Sequence, residues 1–410
     1  MRHYSHHPAY PGQSPGAAEK AGRAESERQA ALLLAVHGLF MAASALSGTF
    51  VNVYLWKAGN DYALIGWFAL ASHAAGALTF WTAGKWVKEG DKMNCLRLGV
   101  ALSAAFYLAV LALGEKAADL AAALGVLQGM AGGFFWLAFN VVYFEITEPD
   151  SRDKFNGRSG LIGSLTGMIA PWISGLIISR SGGAGGGYRI VFAVSLAVFL
   201  LGAAASFFLK KRKPDGEYRW LFGFRELLTP GSPWRLALPG LAAQGVREGV
   251  FVFVIGVLIF AATGSEAKVG NYWLYSSAAG LVSYWLCGRF LKPGRRSPAM
   301  LVAALMLTAA VLLFFAGVNY ATLLVFGIVA GVFFPLYIIP MTSSVFDLIG
   351  RDDGSARHRV EYVVIRELAL NAGRIAGTLV FIAVVSRTDS AAAMNRLLLA
   401  IGSSPVAAWL

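Results

Sequence analysis

The chain has 410 residues, of which 57% are hydrophobic and only 14% charged, with a mean hydropathy of +0.59. A water-soluble domain of this length carries about 25% charged residues, so lipid must cover most of this surface, and the formal net charge of +12 does not mark a nucleic-acid binder. Two cysteines, Cys95 and Cys287, each at the edge of an apolar run beside a basic loop, exclude a disulfide framework and form no metal pattern.

Residues 1–29 are rich in Pro, Gly, Ala and His and hold no apolar run. They read as a disordered cytoplasmic tail, not a signal peptide, and His3, His6 and His7 have no fixed geometry for a metal there. A helix needs about 20 mainly apolar residues to cross ~30 Å of hydrocarbon. Twelve such spans are predicted, at 30–56, 62–83, 95–113, 117–145, 159–179, 189–209, 236–262, 269–290, 298–317, 319–346, 361–385 and 391–410. With the N-terminus in the cytoplasm, 25 Lys and Arg fall in inner segments, 7 in outer ones and 3 within spans. That is the positive-inside bias of a multi-pass plasma or inner membrane protein with both termini cytoplasmic.

The basic loop 210–235, opening with Lys210-Lys211-Arg212-Lys213, divides the chain into a six-span half (30–209) and a second six-span half (236–410). The halves echo each other. After span 2 the sequence reads Gly84-Lys85-Trp86-Val87-Lys88-Glu89-Gly90-Asp91-Lys92, and after span 8 Gly288-Arg289-Phe290-Leu291-Lys292-Pro293-Gly294-Arg295-Arg296, an offset of 204 residues. Three shorter echoes follow in the same order: His37-Gly38 with Gln244-Gly245, Gly132-Gly133-Phe134-Phe135 with Gly331-Val332-Phe333-Phe334, and Phe144-Glu145-Ile146 with Phe346-Asp347-Leu348. A parallel repeat places a site between the halves, near the bilayer midplane, reached alternately from each side.

On this architecture and the paired glycine-and-base loops, the chain resembles the major facilitator superfamily over residues 30–410. It is also similar to an uncharacterised branch from spore-forming Gram-positive bacteria. The usual family loop is Gly-x-Leu-Ala-Asp-Arg-x-Gly-Arg-Arg; here Lys88 stands at the acid's position and Gly90 falls one residue early. Span 5 carries Gly163, Gly167, Pro171 and Gly175, similar to the family's antiporter motif, with Ser174 in place of one glycine. The resemblance implies an all-α fold of twelve transmembrane helices and a monomeric secondary transporter. It implies no enzyme activity and no cofactor, and its partners are a small-molecule substrate, the lipid bilayer and protons. No nucleotide-binding motif is present, so a proton or substrate gradient is the expected energy source. Three readings stay open: export of amphipathic compounds, uptake of a small polar or anionic metabolite, and a non-transporting sensor.

Charges inside spans are expensive and mark candidate sites. Gln244, Arg247 and Glu248 share one face of span 7, and Glu367, Asn371, Arg374 and Thr378 form a stripe on span 11. Span 1 offers His37, Ser44, Gly48 and Asn52; His73 and Asn140 complete the expected substrate or proton pathway. The expectation is that Arg247 and Arg374 attract an anionic or polar group and that Glu248 or Glu367 carries the proton; the alternative is that the four only neutralise one another. Glu145 and Asp347 end spans at equivalent inner positions. They are expected to pair with Lys88 or Arg158, and with Lys292 or Arg366, as a cytoplasmic gate built on the paired loops. The aromatic and basic stretch Tyr218–Arg225 reads as a surface segment on the anionic inner leaflet.

Overall fold

Runs of 20 to 30 apolar residues bounded by Gly, Asp, Ser and basic residues leave the backbone one option in lipid, the α-helix, whose hydrogen bonds close internally. The computed structural model follows that rule. It describes residues 15–146, 149–181, 185–212, 214, 216–349, 357–388 and 390–409, and no strand occurs among them. The first half comprises α1 (Pro15–Gly59), α2 (Tyr62–Glu89), α3 (Lys92–Leu113), α4 (Ala121–Ile146), α5 (Pro149–Arg180) and α6 (Gly186–Ser206). A short α7 (Phe222–Leu228) lies in the linker. The second half comprises α8 (Trp234–Thr263), α9 (Glu266–Phe290), α10 (Arg296–Val311), α11 (Tyr320–Ile349), α12 (Arg359–Val385), α13 (Ala391–Gly402) and α14 (Ser404–Trp409).

Local chemistry sets the ends. Asp61 and Asp91 cap α2 and α3 through Oδ1, which accepts from the N–H groups of Ala63 and Met93, and Ser265 caps α9 through Lys268 N–H. Gly264, at φ 62°, closes α8 in the left-handed conformation that glycine adopts without strain.

Among the described residues, ten helices are long and apolar enough to cross a membrane. The remaining two predicted spans are the more polar α9, with Glu266, Lys268 and Arg289 at its ends, and the last, which the chain builds in two pieces. The break falls at Ser403, two residues before Pro405, whose ring and missing N–H disfavour a continuous helix. At the other end, α1 starts at Pro15, inside the segment read as a disordered tail. Residues 17–31 are mostly Ala, Glu, Lys, Arg and Gln, which are strong helix formers, and Gln29 donates to Glu25 one turn earlier. Residues 1–14, with the three histidines, lie outside the described residues.

Each half is held by backbone-close glycine packing, and the two copies match. In the first half α4 presses on α2, with Gly125 against Phe68 and Gly129 against Ser72; in the second α11 presses on α9, with Gly327 against Tyr272 and Gly331 against Ser276. Each pair sits 202 to 204 residues from its counterpart. The structural equivalent of Gly331 is therefore Gly129, not Gly132 as the sequence echo aligned it. A shift of three residues on a helix stays on nearly the same face, so the pattern alone did not expose the slip. Small residues here let dispersion contacts accumulate where lipid offers no hydrophobic drive between helices. The halves meet along α2–α12 and α5–α9, with a further contact between α1 and α8. Phe144 and Phe346, equivalent residues at the ends of α4 and α11, touch edge to face at 5.4 Å. Equivalent residues meet each other only close to the axis relating the halves. This end, which also carries the α2–α3 loop and the linker, is called the basic face below.

Candidate functional site

A cavity of about 510 Å³ lies between the first half and α12. Its walls differ in chemistry. From the first half come Phe40, Ser44 and Gly48 of α1, Ser72, His73, Gly76 and Phe80 of α2, and Gln128, Gly132, Trp136 and Asn140 of α4, spaced at helical intervals. From the second half come Phe346 of α11 and the α12 stripe Arg366, Glu367, Asn371 and Arg374. One wall is mainly aromatic with neutral polar groups; the facing wall carries the charge.

The charges form one connected network. Arg374 donates to Glu248 Oε2 at 3.0 Å, sits 3.7 Å from Glu367 Oε2 and donates to Asn371 Oδ1 at 3.2 Å. Arg366 holds Glu367 Oε1 at 2.7 Å, and Gln244 donates to Glu248 Oε1 at 2.6 Å. Glu367 is thus shared between two arginines. Asn371 secures the stripe by donating to the Glu367 carbonyl at 3.0 Å. The network exists because α8 and α12 approach to backbone contact: Gly245 and Gly249 face Leu370 and Arg374, while Gly373 and Gly377 face Ala242 and Val246. Across the halves, His73 Nε2 lies 3.3 Å from the Gly249 carbonyl, so that nitrogen carries the hydrogen; Thr378 also donates to this carbonyl, at 3.4 Å.

Five of the expected pathway residues are not on the cavity wall: Gln244 and Glu248 join the network through Arg374, and Arg247, His37 and Asn52 stand apart. Arg247 is buried within the second half, over Phe251 at 4.7 Å and Phe334 at 5.8 Å, and among the described residues no carboxylate pairs with it. His37 stacks on Phe139 at 4.6 Å and reaches Ser159 Oγ at 3.3 Å, tying α1 to α4 and α5. Asn52 donates to Gly48 in its own helix at 3.3 Å. Conversely, Gln128 and Trp136 line the cavity although they were not singled out. Gln128, Gly132, Trp136 and Asn140 recur every fourth residue on α4, a stripe that the sequence contained.

A sequence model of the major facilitator superfamily matches residues 32–402. The chain belongs to that superfamily. It is 39% identical over 374 residues to the uncharacterised protein YqgE of Bacillus subtilis (strain 168), covering 90% of this chain and 86% of that one. It is 42% identical over 196 residues to an uncharacterised Geobacillus stearothermophilus protein encoded in the sodM 3' region, covering 48% of this chain and 91% of the relative. Among solved structures, the human organic anion transporter MFSD10 (TETRAN) aligns with a TM-score of 0.66 at 16% identity, over 97% of this chain and 100% of that one. A bacterial homologue of the iron transporter ferroportin, in its outward-facing state, also aligns at 0.66 and 16% identity, over 93% and 97%. These structural likenesses establish the fold: a multi-pass, all-α membrane protein of two six-helix halves.

In this superfamily member the two glycine-and-base loops have different fates. The first is docked. Gly84 lies against the Tyr218 ring, where a Cβ would collide, and Lys88 is 3% exposed and paired with Glu361 of α12, which is 1% exposed. Lys88 also donates to the Arg357 carbonyl at 3.2 Å. The second is open: Gly288 and Gly294 have nothing within 4 Å of a Cβ, and Arg289 and Lys292 are exposed. Lys85 makes only a half-exposed 3.9 Å pair with Glu89, and Gly90 packs on Trp86.

The gate partners expected from sequence need correction. Glu145 is held by Lys92, and Asp347 by Arg296 at 2.7 Å; both pairs lie within one half, at equivalent positions 202 to 204 residues apart. Arg158 is exposed, and Arg366 turns into the cavity to hold Glu367. Among the described residues, the ion pair that crosses the halves at this face is Lys88–Glu361.

The linker reinforces that crossing. Tyr218 N–H donates to Glu89 at 2.9 Å and its hydroxyl to the Trp81 carbonyl at 3.2 Å, on the first half. Arg219 N–H donates to Glu361 Oε1 at 3.2 Å, and Phe222 stacks on His358 at 4.5 Å, on the second. Burial, with Glu361 nearby, raises the Tyr218 phenol above its ordinary value, so it stays neutral. The stretch expected to lie on lipid is instead partly a buried strap, although Trp220, Leu221 and Phe224 remain exposed.

At the opposite face Glu266 of α9 accepts from Lys57 of α1 and Tyr188 of α6, each at 2.9 Å. The α5 motif lies along the α5–α9 seam. Ser277 donates to the Gly167 carbonyl at 3.3 Å, Gly270 faces the Pro171 carbonyl, and Gly175 faces Glu266 and Gly270; Gly163 sits nearer α1, by Met41.

Proposed function

We propose that this chain is a monomeric secondary transporter of the plasma membrane that carries a small molecule by alternating access, coupled to protons, with the basic face in the cytoplasm. The observation that supports it best is the Glu248–Arg374–Glu367–Arg366 network on the wall of a cavity between two halves. Shared carboxylates held by arginines in a low-dielectric site exchange protons when their ion pairs rearrange. The inner closure at Lys88–Glu361 and the outer one at Lys57–Glu266 supply contacts that break on opposite sides as the halves rock. His73, hydrogen-bonded across the halves, leaves its second ring nitrogen for a proton relay.

The test is proton movement into vesicles holding the purified protein as a compound panel is added, comparing wild type with Glu248→Gln and Glu367→Gln. Loss of the signal in one variant assigns the proton carrier. Unchanged proton-driven transport in both variants rejects the coupling mechanism.

A further inference from the structure

The cavity wall carries two arginines, Arg366 and Arg374, against one carboxylate, Glu367. The surrounding membrane interior gives the same excess, because Arg247 and Glu248 add one charge of each sign. Protonation deepens this imbalance. Guanidinium groups do not deprotonate, and a proton added to either carboxylate or to His73 only raises the positive charge. An uncompensated charge in a low-dielectric site costs several kcal/mol, so the site favours a ligand that brings a negative charge. Opposite the charge stand Phe40, Phe80 and Trp136, with the amides of Gln128 and Asn140 between them. A volume of about 510 Å³ suits a molecule of drug-like size, not an inorganic ion.

Resting on the transporter reading, we propose that the substrate is an amphipathic organic anion, one carboxylate or sulfonate on an aromatic or aliphatic body, that joins Glu367 as a second counter-ion of Arg366 and Arg374. Guanidinium forks match carboxylate and sulfonate oxygens, and two in one wall hold the head group while the body lies on the aromatic wall. With the anion bound, two arginines face two negative groups, so the wall becomes neutral and binding calls for no proton.

The experiment uses the full chain in detergent and four probes of one shape: 2-naphthoate, 2-naphthalenesulfonate, neutral 2-naphthamide and cationic 2-naphthylmethylammonium. Binding is read by calorimetry and proton exchange by a pH indicator. Both anions are expected to bind about tenfold or more tighter than the amide, the ammonium weakest, with no net proton uptake or release. Glu367→Gln is expected to bind the anions more tightly, a gain that mere structural damage does not produce. Arg374→Gln is expected to lose anion binding and Arg374→Lys to keep part of it. Equal binding of the amide, proton uptake with either anion, or weaker anion binding by Glu367→Gln overturns the inference, as does failure of every probe to bind. Proton-driven transport of a neutral or cationic compound sinks this inference alone; tight anion binding without transport of any compound sinks the transporter reading instead.

Discussion

Removing Glu361 is expected to open the basic face. Glu361 and Lys88 are 1% and 3% exposed, and Glu361 also accepts the Arg219 N–H across the same seam. Breaking a buried ion pair by neutralising one partner costs roughly 3–5 kcal/mol, because the other charge is stranded. In the proposed state open at the basic face both groups are hydrated, so this penalty falls on the closed state alone. At about 1.4 kcal/mol per tenfold, Glu361→Gln or Lys88→Met therefore shifts the closed-to-open balance by roughly two to three and a half powers of ten. The assay places a single cysteine at Asn140, in the cavity wall, on a Cys95→Ser/Cys287→Ser background. A membrane-impermeant maleimide is then added from the cytoplasmic side of inverted vesicles. Labelling is expected to accelerate strongly in either single variant. The Lys88→Met/Glu361→Met double variant is expected to return close to the parent rate, since an apolar pair of similar volume replaces a buried ion pair at little loss. Unchanged labelling in both single variants would refute the reasoning, and a double variant as open as the singles would show that the two side chains do not act on each other.

At the other face, Glu266→Gln should weaken the closure made with Lys57 and Tyr188 and speed labelling of the same cysteine from the outside. The change should be smaller, because Lys57 is 44% exposed and water screens the pair. Gly245→Val should destabilise the protein by about 3 kcal/mol or more through overpacking, because a Cβ there meets the Leu370 backbone. Gly288→Ala, with open space around it, should leave the melting temperature in detergent almost unchanged. Tyr218→Phe should lose the bond to the Trp81 carbonyl, worth about 1 kcal/mol. Because the Tyr218 phenol is raised and neutral, that loss should be the same at pH 6 and pH 9, measured by thermal unfolding.

Span positions, the two halves and the polar stripe of α12 were legible because each is a local pattern: hydropathy over one helix, or polar residues at three- and four-residue spacing. Partners across the halves were not. Lys88 stood out through its loop, yet its partner lies 273 residues away, at the start of another helix. The sequence offers Arg366, beside Lys292, as a partner for Asp347, whereas the turn of α12 points it at Glu367. Arg247 reads with Arg374 as an anion anchor; its aromatic neighbours come from a residue one turn away and from α11, and no charge pattern announces them. The strap was misread for a related reason. Its aromatic residues suit a lipid surface equally well, and only Gly84 and Glu89 on another element draw Tyr218 inward.

The strap also bears on the order in which the molecule is made. Tyr218 needs only Trp81, Gly84 and Glu89, all synthesised before it, so it can dock as soon as the first six helices have formed. Phe222 and Gly223 must wait for His358, Tyr362 and Ile365, which leave the ribosome about 140 residues later. Because earlier segments fold first during synthesis, the half-built protein presents a seated aromatic hook with its second side vacant. That hook marks where α12 has to land, and it narrows the arrangements open to the second half before its last helices exist.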